Sequence, residues 1–376
     1  MSRSRLLLAC CVLCIAIQPA SAEPFRYAEG KHGQGELKYI NDVPVLRVAG
    51  KPADLGEQTA VLALKSSDRL LGYPREFLKL LKLDLAWPVI VGTGKGLLQN
   101  FPEHHLAEME AGIQAGKLDR DLVVAANTMF DLKKVIGCST LIIEPGRSAT
   151  GGMLFGRNLD FPTLGYLHEY SLVTVYKPEG KKAFASVGFP GCIGVLTGMN
   201  EDGLTVAVLE VYSSNDDSLK FDAKGIPYAI CFRRLLEECA TVEEAEKLLK
   251  SLKRTTRVNL AIGDKKTAAV FEITPKSVVV RPSENGVLPC TNHFRSKELG
   301  VGVKCWRYPI LEKSKEEKSL NVRDVAALLH EVNQGQLTLQ TMVFEPADLK
   351  LHLAIGKPPT SALPLKTLDL GPLLKK

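Results

Sequence analysis

Gly137-Cys138-Ser139-Thr140-Leu141-Ile142-Ile143 is the stretch on which the fold turns. Small residues flank one cysteine, and the run then thickens into Leu141-Ile142-Ile143, the apolar density of a core strand. Two readings of Cys138 compete: a nucleophile, or a buried apolar residue with no chemistry of its own. The sequence changes character at this point. Before it, residues 59–134 are mostly helical in pattern, with apolar spacing at Leu106, Met109 and Ile113 and again at Leu122, Val123, Ala126 and Met129. After it come short β-like runs at 154–161, 171–176, 183–187, 204–211, 258–262, 268–273 and 277–280. Glu201-Asp202-Gly203 and Glu284-Asn285-Gly286 are turn signals beside such runs, which favours antiparallel sheets. Helical patterns interrupt the strands at 228–253 and 322–332, and a last strand pair is expected at 341–344 and 351–354. From Lys357 on, the chain reads as an extended wrapping tail.

Composition bounds the class. The chain has 376 residues, 45% of them hydrophobic, enough for a large buried core. Residues 1–22 read as a secretory leader: Arg3 and Arg5 open it, residues 6–17 are apolar, and Ala20-Ser21-Ala22 is a small-x-small cleavage site. No stretch reaches the roughly 18 to 20 apolar residues of a membrane span. An exported chain is therefore expected, secreted or periplasmic. Removing the leader removes Cys10, Cys11 and Cys14 and leaves six cysteines, too few for a disulfide scaffold. The mature sequence has no CxxC or HExxH spacing, so neither a metal nor another cofactor is expected. The formal charge falls from +6 to +4 without Arg3 and Arg5, and scattered basic residues leave no nucleic-acid footprint. His104 and His105 read as solvated or structural.

Four segments can carry chemistry. A cysteine at the end of a helical leader segment becomes a new N-terminus if the Gly137-Cys138 bond is cut, and its α-amine, with a pKa of about 7.7–8, then serves as its own base. Gly156-Arg157-Asn158-Leu159-Asp160-Phe161 follows. Strand alternation puts Arg157 and Asp160 on opposite faces, so both border one site only if the strand ends or bends there, as Pro162 favours. Arg157 would favour a thiolate and Asp160 would hold an amine; a surface ion pair is the plain alternative. In Cys290-Thr291-Asn292-His293, Asn292 is a candidate oxyanion donor or else a turn residue, and Asn259 is a second candidate. Arg307, in Cys305-Trp306-Arg307-Tyr308, can fix Asn292 or bind a carboxylate, or form an ordinary ion pair.

Taken with Gly198-Met199-Asn200-Glu201-Asp202-Gly203-Leu204, these motifs resemble the acyl-CoA:isopenicillin N acyltransferase-like family of N-terminal nucleophile hydrolases, over most of the chain from residue 108 onward. Conjugated bile acid hydrolases, penicillin V acylases and acid ceramidases look like its more distant relatives. The resemblance implies an α+β fold, a four-layer αββα sandwich with two packed antiparallel sheets between helical layers. It also implies self-cleavage before Cys138, giving a helix-rich segment 23–137 and a catalytic segment 138–376 that stay associated. By the same resemblance Cys138 is nucleophile and amine base, Asp160 anchors the amine, Arg157 lies beside the thiol, Asn292 contributes to the oxyanion hole, and Arg307 matches an arginine that follows the asparagine motif. Two positions depart. Bile acid hydrolases have asparagine where Glu210 stands, and Arg157 follows the hydrolase branch where the acyltransferase has glutamine.

The implied function is a self-processing cysteine amidohydrolase or acyltransferase acting on a small acyl amide or acyl donor. Two rivals stand beside it: a papain-like Cys138–His293 hydrolase without self-cleavage, and a secreted binding protein that keeps the fold without turnover.

Overall fold

The computed structural model describes residues 24–132 and 137–375; the expected leader, 1–22, lies outside the described residues. Two sheets form the centre. The larger runs in the order β1 (Gly30–His32), β2 (Gly35–Ile40), β3 (Val43–Gly50), β6 (Leu172–Pro178), β7 (Phe184–Gly188), β8 (Thr197–Asn200), β9 (Thr205–Glu210), β10 (Val258–Gly263), β11 (Ala268–Ile273) and β12 (Val278–Pro282). The smaller runs β13 (Val287–Cys290), β4 (Gly137–Ile143), β5 (Leu154–Asp160), β14 (Thr338–Glu345), β15 (Lys350–Ile355) and β16 (Lys366–Asp369). Helices surround them: α1 (Pro52–Thr59), α2 (Asp68–Leu80), α3 (Trp87–Leu97), α4 (Glu103–Gly116) and α5 (Arg120–Leu132) come before the cysteine. After it come α6 (Tyr228–Glu238), α7 (Val242–Ser251), α8 (Arg307–Glu312) and α9 (Val322–Glu331).

Strand alternation explains the layering. In β4 and β5, Cys138, Ile142, Phe155 and Leu159 enter the large core between the sheets, while Leu141, Ile143 and Leu154 pack with Val325 and Leu329 of α9. Every residue of β5 is buried because both faces are covered. At Gly156 a Cβ would meet Val325 Cγ1 at 2.4 Å, so only glycine lets α9 lie this close to the sheet. The larger sheet is covered on its outer face by α6 and α7, where Leu236 sits on Gly198. The result is the four-layer αββα sandwich.

The helix-rich segment before Cys138 also carries β1–β3, which extend the larger sheet. Three expectations need correction. That sheet is not wholly antiparallel, because β3 pairs with β6 in parallel. The helix expected over 228–253 is two helices, since Cys239 leaves helical geometry and Thr241 caps α7 by accepting from the Glu244 amide. The tail is more regular than an extended wrap, because β16 completes the smaller sheet.

The two segments are keyed together by buried polar contacts. Arg233 of α6 is bonded to Glu108 of α4 at 2.5 and 2.9 Å and to Glu237 at 2.7 Å. His105, also on α4, is fully buried on Glu237, not solvated; burial and the adjacent Arg233 lower its pKa to about 4. Asn127 of α5 bonds both Gly191 O and the Ile193 amide.

Candidate active site

Register builds the site. Because Cys290 pairs with Thr140 between β13 and β4, the chain leaving β13 carries Asn292 alongside Cys138. Asn259 of β10 donates to the carbonyls of Thr291 and His293, gripping the turn on both sides of Asn292. Asn259 is thus a positioning residue for Asn292, a role different from the oxyanion donor considered for it.

Each polar atom of Cys138 meets a residue expected at the site. Its amide N–H donates to Asn292 Oδ1 at 2.8 Å, its carbonyl accepts from Arg307 Nη1, and its Sγ lies 3.3 Å from Arg157 Nη2. Arg307 Nη2 also donates to Asn292 Oδ1 at 2.9 Å and its Nη1 to Ser139 Oγ at 3.0 Å. Arg157 is wholly buried; its Nη1 donates to Val208 O at 2.6 Å. Asp160 Oδ2 lies 3.8 Å from Arg307 Nη1.

Arg157 and Asp160 do lie on opposite faces of β5, as alternation requires. Arg157 reaches the cysteine sulfur, while Asp160, at the end of β5 and opposite an irregularity in β14 between Thr338 and Gln340, flanks the bond before it. Arg157 acts on Sγ from between the sheets, and Asp160 stands beside Gly137 on the other face. Asp160 is held by Thr338 Oγ1 at 2.7 Å and Gln334 Nε2 at 2.5 Å. Gln334 and Thr338 escaped the sequence reading, since nothing local marks residues more than 170 positions away as partners of Asp160. At Gly137 a Cβ would meet Gln334 Nε2 at 2.3 Å and Asp160 Cβ at 3.1 Å, so a side chain here must move the Gln334 amide.

Burial pushes the Cys138 thiol up to about 12, against the pull of Arg157. The intact chain therefore holds a neutral thiol. Asn292 turns its carbonyl to the Cys138 amide and donates Nδ2 to Glu210 O at 3.0 Å. In the intact chain it is a clamp on the backbone of Cys138. Glu210 sends its carboxylate the other way, to Tyr228 Oη at 3.3 Å. His293 bonds Thr291 Oγ1 at 3.0 Å and sits edge-on to Tyr308, while the contact recorded at Cys138 Sγ comes from Arg157.

The sequence of residues 147–360 matches the family described as acyl-coenzyme A:6-aminopenicillanic acid acyl-transferase. The chain belongs to that family. Its match covers Arg157, Asp160, Asn292 and Arg307 and begins after Cys138. An uncharacterized protein of Archaeoglobus fulgidus is 24% identical over 73% of this chain and 51% of its own length. The acid ceramidase of Balaenoptera acutorostrata scammoni is 26% identical over 48% of this chain and 49% of its own. The chain thus spans about half the length of the curated relatives it matches. Among solved structures, the Caenorhabditis elegans ortholog of N-acylethanolamine-hydrolyzing acid amidase aligns with a TM-score of 0.45 at 20% identity, covering 61% of this chain and 100% of that one. A mutant of conjugated bile acid hydrolase from Clostridium perfringens aligns at 0.44 and 17%, covering 62% and 93%. For this family member, a small apolar cavity of about 60 Å³ lies between α2, α5 and the segment following β5, lined by Leu70, Tyr73, Phe130, Phe161, Leu167 and Phe189. Phe161 directly follows Asp160. Among the described residues no helix is long and apolar enough to cross a membrane.

Proposed function

We propose that this chain is an exported, self-processing amidohydrolase or acyltransferase that works through a thioester on Cys138. The observation that carries the reading is the grip on Cys138: Arg157 on Sγ, Asn292 on its N–H and Arg307 on its carbonyl. A cysteine that was only core packing has no need of a buried guanidinium on its sulfur, because burying that charge is costly.

In the processing step Sγ adds to the Gly137 carbonyl. The C–N bond to Cys138 breaks, and the departing nitrogen takes the thiol proton. Water then hydrolyses the thioester, which leaves Gly137 as a carboxylate and restores the thiol. The freed amine, anchored by Asp160, becomes the base that the intact chain lacks. In turnover it draws the proton from Sγ as the thiol attacks a substrate amide, and passes it to the departing substrate amine. To donate to the oxyanion, Asn292 must use Nδ2, the atom that donates to Glu210 O in the intact chain. Water or a second amine takes the acyl group from sulfur. An apolar acyl group is in keeping with the resemblance to enzymes named for ceramide. After cleavage the two segments stay joined through the β3–β6 pairing and the Arg233–Glu108 contact.

Denaturing electrophoresis of wild type beside Cys138→Ala, with N-terminal sequencing, tests this. Two fragments are expected from wild type, one starting at Cys138 and one at Glu23, and a single chain from the variant. A wild-type chain that stays intact from mildly acidic to neutral pH removes the processing step.

A further inference from the structure

Away from Cys138, a second constellation joins the segments on either side of the Gly137-Cys138 bond. His104 and His105 lie in the first turn of α4, and Glu237 in the last turn of α6. Consecutive helical residues point about 100° apart, so two such imidazoles address one point only when a third group stands between them. Glu237 Oε2 does so, 3.4 Å from His104 Nε2 and 3.0 Å from His105 Nε2. The imidazole centroids are 4.1 Å apart, and all three ligand atoms fall within 4.8 Å of one another.

The two imidazole–carboxylate separations suit a small dication. Bonds of about 2.0–2.2 Å in a tetrahedron put neighbouring ligand atoms roughly 3.4 Å apart. Glu237 is pre-oriented, because its Oε1 accepts from Arg233 Nε at 2.7 Å while Arg233 is itself gripped by Glu108. Two buried carboxylates face one guanidinium here, an excess of negative charge that a bound cation offsets. Among the described residues His105 Nδ1 has no hydrogen-bond partner, so a metal on Nε2 leaves a buried N–H unpaired at Nδ1, a cost that the metal bond must offset. The His104 side chain is one-third exposed, which gives an ion a route in and leaves a position for water.

We propose that His104, His105 and Glu237 form a zinc-type transition-metal site that staples α4 to α6. Two nitrogens and one carboxylate oxygen match the borderline character of Zn²⁺. The ligands come from both sides of position 137, so the ion ties the N-terminal helices to the rest whether or not that bond is cut.

The test uses full-length, tag-free protein stripped with a chelator. Equilibrium dialysis against zinc chloride with elemental analysis should find one zinc per chain. His104→Ala, at the most exposed ligand, should weaken binding by about tenfold or more. Zinc should raise the unfolding temperature of wild type and leave that of His104→Ala in place. Wild type that takes up no zinc overturns the proposal. So does His104→Ala that binds zinc with unchanged affinity, which would place the metal elsewhere.

Discussion

Arg157 Nη2 lies 3.3 Å from Cys138 Sγ with both side chains fully buried between the sheets. A guanidinium in that position lowers the barrier to forming a thiolate and raises the cost of folding. Arg157→Met removes the charge and keeps the length, so it should melt no lower than wild type, and self-cleavage should slow by about 100-fold or more. Arg157→Lys should not restore the rate, because a point charge cannot serve Sγ and Val208 O together. A variant that melts lower and still cleaves at the wild-type rate would make Arg157 a packing residue.

Gly137 tests the geometry of the cleaved bond. Alanine there must displace Gln334 from Asp160. Gly137→Ala should slow fragment formation at least about tenfold, read as a time course on denaturing gels, with little change in melting of the Cys138→Ala background. Equal rates for wild type and Gly137→Ala would show that the Gln334–Asp160 contact beside the bond does not govern cleavage.

Asp160 supplies a pH dependence. Burial raises its carboxyl above the ordinary value, against hydrogen bonds from Gln334 and Thr338 that lower it. The folded chain thus binds this proton more tightly than the unfolded one. The stability it contributes is complete below the unfolded value of about 3.9 and is lost as pH rises through the raised value. Compared with Cys138→Ala, the double variant Cys138→Ala/Asp160→Asn should gain in relative melting temperature from about pH 4 to about pH 7. A gap that stays constant over this range contradicts the raised carboxyl.

The cysteines should differ sharply in reactivity. Burial pushes Cys192, Cys231 and Cys290 up to about 12 and Cys239 to about 11. Burial also acts on Cys305, but hydrogen bonds from His293 and Thr291 and the Tyr308 backbone bring it down to about 6. In Cys138→Ala at about pH 7, iodoacetamide should therefore alkylate Cys305 first. Peptide mapping that finds the buried thiols modified at the same rate would refute this ordering.

Gly56 tests how the N-terminal helices are packed. A Cβ on it would lie 1.9 Å from Glu108 O, in the backbone of the neighbouring helix. Gly56→Ala must push α1 from α4 and should destabilise the chain by about 1–3 kcal/mol in denaturant unfolding.

Strands such as β5, β6, β10 and β11 were legible because each is a short apolar run closed by turn residues. Cys138, Arg157, Asp160, Asn292 and Arg307 were legible as a set because their order and spacing resemble a family. β1–β3 were not: their Val43, Val45 and Leu46 become core only by joining β6, more than 100 residues later. His104 and His105 gave no sign of Glu237, for the same reason.

By itself, then, the sequence determined the alternation that puts Arg157 and Asp160 on opposite faces of one strand, and the change of pattern that marks Cys138. Only the tertiary structure decided that Arg157 meets the sulfur of that cysteine while Asp160 stands beside Gly137, by ending β5 at Asp160 and laying Gln334 and Thr338 against its carboxylate. Alternation is a local property of bonded neighbours. Convergence depends on register between strands far apart in the chain, and register is settled by burying both faces of the sheet at once.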